Sequence, residues 1–515
     1  MHKEIIVSVE KRECRVAFLE NQVLQRIDFE RKGEKKLIGN IYKGRVNKVI
    51  PGIQAAFVDI GLEKNGFLHA SDMTDEVSPW SEVAGEDEEK PRSAGRGGKR
   101  RLISDLVKDG QDIVVQIIKE KISEKGVRLS THIGLPGRYL VLIPGERRIG
   151  ISRRIADRKE RARLKSIFAS MDFPGDIGFI VRTAAQGEKK NNFERDIRYL
   201  RALWDRIRKK TASSSVPSLL HEELDLILRV VRDSFTDDVD RVLIDSREEC
   251  RRVRKFIAST LPQLQRKVSI YRGRRPIFER YGIEREIEKA FQRKVWLKSG
   301  GYLIIEQTEA MWVIDVNSGR FVKKKNLSET VIQTNLEAAD EVARQLRLRD
   351  LGGIIVIDFI DMPSRRNQRA VMKRLEGGLK KDKAKFNLLP ISDIGLLEMT
   401  RQRVKESISE EVYGKCPSCG GKGMVKTMPS LAIEIQRRIR KIFMARGRSP
   451  LKITVHPDLL EFMKKNDFSA VCEAERDYRM EIIVEADPLL HIEKFVVFDA
   501  GTGREICDKR SSGNN

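Results

Sequence analysis

The chain has 515 residues, of which 40% are hydrophobic, enough to build several domains with buried cores. Its 100 Lys and Arg residues exceed its 76 Asp and Glu residues by 24, and this charge favours a polyanionic partner such as nucleic acid, although ribosome-associated and membrane-surface proteins share it. The first residues lack the apolar core of a signal peptide, no run is long enough to span a membrane, and only one pair of the six cysteines is closely spaced. We therefore expect a cytoplasmic protein in a reducing compartment rather than a secreted or membrane-spanning one.

Residues 1–38 alternate apolar and polar side chains, which predicts a meander of strands. From Gly39 to about Thr131 the pattern changes to five short strands, predicted at Ile41–Val49, Gln54–Asp59, Gly66–His69, Gln111–Ile118 and Gly126–Ser130. With its core KGRV…AAFVDIG…GFLH, this segment looks like an S1-type OB barrel, which binds single-stranded RNA.

Two aromatic residues, Phe57 and Phe67, fall on neighbouring predicted strands of this barrel, as a base-stacking platform requires. The alternative is that both pack inside the barrel, but in the S1 pattern these positions belong to the binding face. Between the third and fourth strands, residues 77–101 contain the segment GEDEEKPRSAGRGGKRR, which is rich in glycine and charge. We interpret this segment as a disordered, solvated insertion.

Residues 137–217 predict strands, then a basic helix at Ala156–Ser170, then a strand in which Ile177, Phe179 and Val181 share one face. Arg182 and Thr183 end that strand, and a guanidinium beside a hydroxyl suits a phosphate clamp. A surface arginine followed by a strand-end threonine is the alternative interpretation. The serines before Pro217 indicate a linker, and three further elements are predicted beyond it: a helix at Leu219–Ser234, a strand at Asp240–Asp245 and a basic helix at Arg251–Thr260.

Two short apolar runs, Met311–Asn317 (MWVIDVN) and Gly352–Asp361 (GGIIVIDFID), each carry an aspartate where a buried strand would carry another aliphatic residue. Between them, Ser328–Arg349 has the periodicity of a helix with one buried face, so the unit is predicted to be βαβ with parallel strands. Asp315 and Asp358 both come late in their strands, and Asn317 shares a face with Asp315. Two carboxylates and an amide at one sheet edge suit Mg²⁺ with bound water, whereas strand-end aspartates that cap helices or turns are the alternative.

The segment CPSCGGKG places Cys416 and Cys419 in a turn typical of a zinc knuckle. Because zinc takes four ligands and no second close pair is present, an identical half-site from another copy would complete it in a two-fold dimer. The alternatives are a redox dithiol, for which no thioredoxin-like βαβ start is recognisable nearby, and a structural turn. The last domain is predicted to have a helix at Leu431–Arg446 and strands at ITVHP and RMEIIVEADP.

In chain order, GNIYKGRV, AAFVDIG, ISRRI, VRTAA, IDVNSG, IVIDFIDM, LLEMTRQR and CPSCGGKG resemble the motifs of the ribonuclease E/G family. The length of the chain resembles that of the shorter, G-type members. The resemblance implies a multidomain α+β protein with the following domains: 1–38 and 218–280, two parts of an RNase H-like subdomain; 39–131, the S1 domain; 132–217, a 5′-sensor subdomain; 281–400, a DNase I-like catalytic subdomain; 401–423, a zinc-link; and 424–515, a small C-terminal domain.

The resemblance also implies the roles of single residues. Asp315 and Asp358 match magnesium ligands, Asn317 matches their companion amide, and Cys416 and Cys419 match the shared zinc ligands. Further residues match RNA-gripping positions of the S1 domain or a pocket that senses a 5′-monophosphate: Phe57, Phe67 and Lys125 for the first, and Gly137, Val141, Arg153, Arg182 and Thr183 for the second. A further arginine of that pocket is replaced here by Lys385, which keeps the charge but loses the bidentate fork.

The implied function is that of a Mg²⁺-dependent endoribonuclease that cuts unpaired, AU-rich RNA. It would be stimulated by a 5′-monophosphate and would leave 5′-phosphate and 3′-hydroxyl ends. The implied partners are ribosomal RNA precursors, mRNA and a second copy of the chain, in a dimer or a dimer of dimers. A non-catalytic S1-type RNA-binding or ribosome-assembly protein is the alternative, and the paired aspartates distinguish the two because a binder has no need of them.

Overall fold

A computed structural model describes residues 2–31, 33, 37–74, 84–85, 102–119, 126–145, 148–171, 173, 176–319, 327–380, 382, 384–392, 394–403, 407–414 and 416–506. The chain divides into two compact units, Met1–Ile408 and Ser409–Asn515. Within the described part of the chain, none of the helices has both the length and the apolar character needed to cross a membrane.

The strands, in chain order, are β1 (Lys3–Val9), β2 (Glu13–Glu20), β3 (Val23–Arg31), β4 (Ile41–Ile50), β5 (Ala55–Asp59), β6 (Gly66–His69), β7 (Ala84–Gly85), β8 (Asp112–Lys119), β9 (Arg128–Ser130), β10 (Leu135–Pro136), β11 (Leu140–Pro144), β12 (Ile149–Ser152), β13 (Ile177–Val181), β14 (Ser218–His221), β15 (Arg241–Ile244), β16 (Val268–Ile270), β17 (Lys294–Trp296), β18 (Tyr302–Gln307), β19 (Met311–Asn317), β20 (Gly353–Asp358), β21 (Phe386–Leu388), β22 (Leu396–Arg401), β23 (Leu451–Val455), β24 (Ile482–Ala486) and β25 (Phe495–Asp499).

The α-helices are α1 (Ile103–Leu106), α2 (Arg158–Ala169), α3 (Lys190–Ser213), α4 (Leu226–Ser234), α5 (Arg247–Thr260), α6 (Ile277–Arg280), α7 (Ile283–Phe291), α8 (Leu327–Leu348), α9 (Arg365–Leu379), α10 (Ile408–Val412), α11 (Met428–Arg446), α12 (Pro457–Phe462) and α13 (Phe468–Tyr478).

The predicted N-terminal meander is confirmed, since β1, β2 and β3 pair in antiparallel order. Two strands from much later in the chain extend this sheet, because β15 lies parallel to β1 and β16 lies parallel to β15. Residues 3–31 and 241–270 therefore share one five-stranded sheet. Its apolar side chains, including Ile5 and Val242, are buried.

The predicted five-stranded barrel is also confirmed. Strands β4, β5, β6, β9 and β8 pair in that order, and β8 returns to β4 to close the ring. The predicted insertion, residues 77–101, lies outside the described residues except for Ala84 and Gly85, which pair with β12. Closure removes the exposed sheet edge, and Ala56, Val58 and Leu68 fill the interior with no exposed surface.

The predicted helix at Leu219–Ser234 is wrong in its first part. Ser218–His221 form strand β14, which pairs with β4 on the outside of the barrel, and helix α4 begins only at Leu226. The side chain of Asp225 accepts a hydrogen bond from the backbone N–H of Leu228, so it caps the helix at that point. The other two elements of this region are confirmed as β15 and α5.

Helix α3 covers residues for which the sequence analysis predicts no element, and the linker placed at Ser213–Ser215 begins on its last residue. Its buried residues Phe193, Ile197 and Leu200 follow helical spacing, so the pattern is present in the sequence. The strands and basic helix predicted before it are confirmed as β11, β12, α2 and β13.

The region with the paired aspartates is a six-stranded sheet in the order β17-β18-β19-β20-β22-β21. The predicted βαβ unit is confirmed, since β19 and β20 are parallel and α8 connects them. One face of the sheet, which includes Ile314, Ile355 and Ile357, packs with no exposed surface against residues of α8 and α9 such as Val342 and Leu375.

The second unit contains a three-stranded sheet in the order β24-β23-β25, with β23 parallel to β24 and antiparallel to β25. The predicted helix and two strands of this domain are confirmed as α11, β23 and β24. Residues of α11, such as Ile435 and Ile439, pack with Leu451 and Ile453 of β23 to form its core.

Candidate active site on the six-stranded sheet

The two aspartates of the βαβ unit lie directly opposite each other. In the parallel pairing of β19 with β20, Asp315 is the register partner of Asp358. Neighbouring strands lie about 4.8 Å apart, so the two carboxylates leave the sheet side by side. This juxtaposition is the one that the strand order and the late position of each aspartate predict.

The aspartates lie on the face of the sheet that is not packed against helices. Along β19 the side chains alternate, so Trp312, Ile314 and Val316 are buried while Asp315 and Asn317 are half-exposed. Along β20, Asp358 is exposed beyond the buried Ile357. A period of two thus sends the apolar residues to the core and the polar residues to the open face.

Hydrogen bonding and charge shape this site. The side-chain amide of Asn317 donates a hydrogen bond of 2.7 Å to Oδ2 of Asp315, which orients that carboxylate. Burial, together with the negative charges of Asp315 and Asp361, raises the pKa of Asp358 above its ordinary value. Asp361 is a third carboxylate that the sequence analysis does not single out, although it is the last residue of the second apolar run. The site thus holds closely spaced negative charge that a cation would neutralise.

Asn335 of helix α8 positions the backbone that follows Asp358. It has no exposed surface, its Nδ2 donates to the carbonyl oxygen of Ile360 at 2.7 Å, and its Oδ1 accepts from the N–H of Ile360 at 3.1 Å. From the sequence alone, Asn335 is predicted only to lie on the buried face of the helix. A buried amide on an apolar face is the signal that reveals it, because such a group needs partners.

The donor set fits a hard divalent cation. Asp315, Asp358 and Asn317 offer oxygen ligands on an open face, as Mg²⁺ prefers when it keeps several waters. The described residues contain no group of three or more histidines, cysteines, aspartates or glutamates arranged to hold a metal ion. A cation here would therefore be held by few protein ligands and completed by water or substrate oxygens.

The barrel residues Phe57 and Phe67 lie outside the barrel core. They are register partners on β5 and β6, both are half-buried, and their ring centroids are 5.9 Å apart at 69°. Their neighbours along each strand fill the interior, so the alternative that both aromatic rings pack inside the barrel is wrong. Lys125 lies outside the described residues.

Two cations extend this aromatic pair across the barrel surface. Exposed Lys48 is the register partner of Phe57, and Arg128 is the register partner of Phe67. The guanidinium of Arg128 is held at 2.8 and 3.0 Å by the two carboxylate oxygens of Asp72. Neither cation is recognisable from the sequence alone, because cross-strand partners depend on register. Two rings flanked by two cations form a row suited to bases and phosphates.

The predicted phosphate clamp at Arg182 is engaged within the protein. Its Nη1 donates to the carbonyl oxygen of Gly137 at 2.5 Å and to Oδ1 of Asp233 at 2.7 Å, while Thr183 is half-exposed beside it. Although burial alone raises the pKa of Asp233, the guanidinium groups of Arg232 and Arg182 hold it well below its usual range. Asp233 is a residue of this region that the sequence analysis missed.

Helix α3 shapes the loop that carries Gly137. The carboxylate of Asp196 accepts hydrogen bonds of 2.8–3.1 Å from the backbone N–H groups of Arg138, Tyr139 and Leu140. A Cβ atom on Gly137 would come within 2.7 Å of that carboxylate, so a side chain at this position would disrupt the contact. Asp196 lies on the helix that the sequence analysis did not predict, so its role was missed with it.

The remaining residues matched to the 5′ pocket are spread out. Val141 is only 2% exposed, so its side chain belongs to the core, whereas Arg153 and Lys385 are exposed. Among the described residues, no hydrogen bond or ion pair joins Arg153 or Lys385 to Arg182. Asp233 and Ala384 line one cleft of about 390 Å³, whereas Lys385 lines a separate recess together with Gly353 and Gln402.

Cys416 and Cys419 lie in a glycine-rich turn of the second unit. The N–H of Gly420 donates to the carbonyl oxygen of Cys416, and the N–H of Gly423 donates to Sγ of Cys419 at 3.3 Å. Hydrogen bonds from the backbone N–H groups of Cys419 and Ser418 lower the pKa of Cys416. The turn therefore favours the thiolate form that a metal ion requires. Cys507 lies outside the described residues.

Comparison with known proteins identifies three matching family models. They are described as the Ribonuclease E/G family over residues 134–404, the S1 RNA binding domain over residues 35–132, and the RNase E/G, Thioredoxin-like domain over residues 415–500. The third description bears on the dithiol interpretation. A βαβ unit is present in this domain, but it starts with β23 at Leu451, so Cys416 and Cys419 do not lie at its start.

Curated relatives match over nearly the whole chain. The chain is 42% identical over 498 residues to Ribonuclease G of Salmonella typhimurium (strain SL1344) and to Ribonuclease G of Escherichia coli (strain K12), covering 96% of this chain and 99% of each relative. It is 39% identical over 493 residues to Ribonuclease E of Escherichia coli (strain K12), covering 95% of this chain and 45% of that relative.

Proposed function

This chain belongs to the ribonuclease E/G family, as its motifs predict, and is an endoribonuclease; we propose that it uses Mg²⁺ to hydrolyse single-stranded RNA. The observation that carries the proposal is the pairing of Asp315 with Asp358 on the open face of the six-stranded sheet. A binding protein has no need of two adjacent, mutually repelling carboxylates.

In the proposed site, Asp315 and Asp358 hold the metal ion, and Asn317 orients Asp315 through its amide hydrogen bond. A bound Mg²⁺ supplies activation of water and neutralisation of charge on the scissile phosphate. Asn335 fixes the backbone beyond Asp358 and so keeps the two carboxylates in register. Because water is the nucleophile, the products carry 5′-phosphate and 3′-hydroxyl ends and the 2′-hydroxyl is not consumed.

The barrel is proposed to hold the RNA strand. Bases stack on Phe57 and Phe67, and the cations beside them, Lys48 and Arg128, receive phosphates. Stacking reads little sequence, so selectivity arises from the requirement for unpaired bases, which AU-rich segments satisfy easily. Duplex RNA cannot present bases to these rings, so cleavage is directed to unpaired segments beside stems.

A 5′-monophosphate is proposed to bind near Arg182 and Thr183, with Lys385 as a further cation. Binding there adds interaction energy away from the scissile bond, so it stimulates cleavage. Arg182 already bonds to Asp233, and Lys385 offers a point charge rather than a fork, so we expect moderate dependence on the 5′-phosphate.

Cys416 and Cys419 are proposed to form half of a zinc site that a second copy of the chain completes. The lowered pKa of Cys416 and the glycine turn around both thiols support thiolate ligation. Removing zinc with a chelator should convert the dimer, or dimer of dimers, to smaller species by light scattering. If the oligomer persists while thiol oxidants abolish activity, the redox interpretation is favoured instead.

The test of the main proposal is cleavage of a 5′-monophosphorylated, unpaired, AU-rich oligomer by the wild type, Asp358→Asn and the control Asp237→Asn. Asp237 is an exposed carboxylate in the loop before β15, so its substitution removes the same charge elsewhere. We expect the wild type and Asp237→Asn to cleave this oligomer only when Mg²⁺ is present, and Asp358→Asn not to cleave it. The wild type should cut a 5′-hydroxyl oligomer more slowly and should not cut a duplex.

The alternative raised by the sequence is a non-catalytic S1-type RNA-binding or ribosome-assembly protein. The barrel row and the net charge of +24 would suit it, but the paired aspartates and the family membership do not. Equal, metal-independent binding by all three proteins without cleavage would support it. The proposed physiological substrates are ribosomal RNA precursors and mRNA. Mapping the RNA 5′ ends that disappear when the protein is removed would identify them.

A further inference from the structure

A cluster of two aromatic rings and a lysine lies on the same open face as the paired aspartates, at the β17 edge of the sheet. Trp296 is 63% exposed, and its ring centroid lies 5.4 Å from that of Tyr302 at 63°. Nζ of Lys294 lies 4.0 Å from the centroid of Trp296 and 3.7 Å from that of Tyr302.

The register joins this cluster to the acidic site. Asn317 pairs with Tyr302, which pairs with Trp296, so these three side chains form one row across the strands. The adjacent row runs from Asp358 through Asp315 and Ile304 to Lys294. Because strands are about 4.8 Å apart, Trp296 and Lys294 lie about 10 Å from the polar residues of β19.

A purely structural role explains this cluster poorly. A tryptophan that keeps 63% of its surface exposed gains little from burial, and β17 is an edge strand with few partners. The lysine keeps the rings in place by cation–π contact and adds positive charge beside a negative site. An exposed, held ring next to a cation is the arrangement that binds single-stranded nucleic acid, since every base has a stacking face.

We propose that Trp296 and Tyr302, with Lys294, form a base-stacking subsite for single-stranded RNA beside the scissile phosphate. The subsite rests on the proposed function, because it takes the RNA strand that the acidic pair would cut. It is distinct from the Phe57–Phe67 pair, which lies on the barrel. Trp296 stacks on one base and Lys294 binds the adjoining phosphate. Tyr302, the register partner of Asn317, contacts both Trp296 and Lys294 and so keeps them in place.

The first test compares steady-state cleavage by Trp296→Ala, Trp296→Phe and the control Leu489→Ala, which removes a side chain that is 94% exposed in the second unit. Loss of one stacked base should raise KM about ten-fold in Trp296→Ala with little change in kcat, and Trp296→Phe should restore most of the loss. With an RNA that lacks the base at the stacked position, the wild type and Trp296→Ala should have the same KM. A series of RNAs, each with one abasic position, identifies the nucleotide that stacks on Trp296.

The second test measures binding without cleavage. RNA should quench part of the tryptophan fluorescence of Asp358→Asn. This part of the quenching should be absent from the double variant that also carries Trp296→Phe. An unchanged KM for Trp296→Ala, together with no Trp296-dependent quenching while the wild type cuts RNA, overturns the subsite and leaves the proposed function standing. Trp296-dependent quenching without any cleavage by the wild type supports the subsite and overturns the nuclease proposal. Failure of the wild type to bind or cut RNA overturns both.

Discussion

Replacing Asp358 by Asn should leave the metal-free protein at least as stable as the wild type and should remove the stabilisation that Mg²⁺ provides. The reason is electrostatic. Asp315 and Asp358 are register partners on adjacent strands, and the amide of Asn317 is a hydrogen-bond donor to Asp315, not a counter-charge. Without a cation the two carboxylates repel each other, and the substitution removes that repulsion.

The size of the effect follows from the strand spacing. Two unit charges about 5 Å apart repel by about 0.8 kcal/mol in a water-like dielectric, which suits the exposed Asp358, and physiological salt reduces this further. We therefore expect Asp358→Asn to raise the metal-free unfolding free energy by up to about 0.8 kcal/mol. Mg²⁺ at about one hundred times its dissociation constant would stabilise the wild type by about 2.7 kcal/mol.

The assay is urea denaturation of the wild type, Asp358→Asn and Asp237→Asn, each with chelator and with excess Mg²⁺. The control Asp237→Asn should keep the response to Mg²⁺, since Asp237 is an exposed residue of the loop before β15 and not a member of the six-stranded sheet. A loss of more than about 1 kcal/mol in the metal-free unfolding free energy of Asp358→Asn would contradict this prediction, because the carboxylate would then be a structural partner. Equal stabilisation of all three proteins by Mg²⁺ would contradict it as well.

Three further predictions concern single contacts. Asn335→Ala removes the side-chain partners of both backbone groups of Ile360, so we expect the unfolding free energy to fall by about 2–4 kcal/mol. Calorimetry should also show weaker Mg²⁺ binding, and an unchanged metal affinity would contradict the positioning role. Asp233→Asn should lower the unfolding free energy by about 1–3 kcal/mol near neutral pH. Because folding lowers the pKa of Asp233, the carboxylate stabilises the protein above its unfolded pKa of about 3.9, and this stabilisation is lost as the pH falls toward the folded-state pKa. The difference in unfolding free energy between the wild type and Asp233→Asn, measured by denaturation, should therefore narrow below about pH 4, and a constant difference would exclude this linkage. Phe67→Leu should weaken single-stranded RNA binding about ten-fold in anisotropy titrations while thermal unfolding changes little, since the ring lies outside the barrel core; equal affinity would argue against stacking there.

Local periodicity was sufficient for elements whose burial pattern repeats over several turns or strands. The five barrel strands and helix α8 follow alternation and 3.6-residue spacing closely, so their predicted positions agree with the structure. The strand–helix–strand order also predicts parallel pairing of β19 and β20, because a crossover helix allows little else.

Two elements are not predicted correctly from local patterns: strand β14 and helix α3. Residues 219–221 precede a helical pattern that predicts a helix from Leu219, but β14 pairs with residues 41–43, the part of β4 that β5 does not cover. Helix α3 was missed because its apolar residues are spread among many charges, although four of them, Phe193, Ile197, Leu200 and Ile207, are buried. Long-range pairing therefore decides the structure of the first segment, whereas helix α3 follows a helical spacing that the sequence already contains.

The amino-acid sequence establishes which residues carry carboxylates, thiols and aromatic rings, and its local patterns indicate on which strands or turns they lie. Which groups lie beside one another depends on tertiary contacts. The register of Asp315 with Asp358 and the hydrogen bonds between Asn335 and Ile360 join segments separated by helix α8 or lying on it, and Tyr302 meets Asn317 through the pairing of β18 with β19. The physical reason is that alternation fixes the face of each side chain locally, whereas cross-strand register depends on hydrogen bonds and packing that form only when the whole sheet assembles.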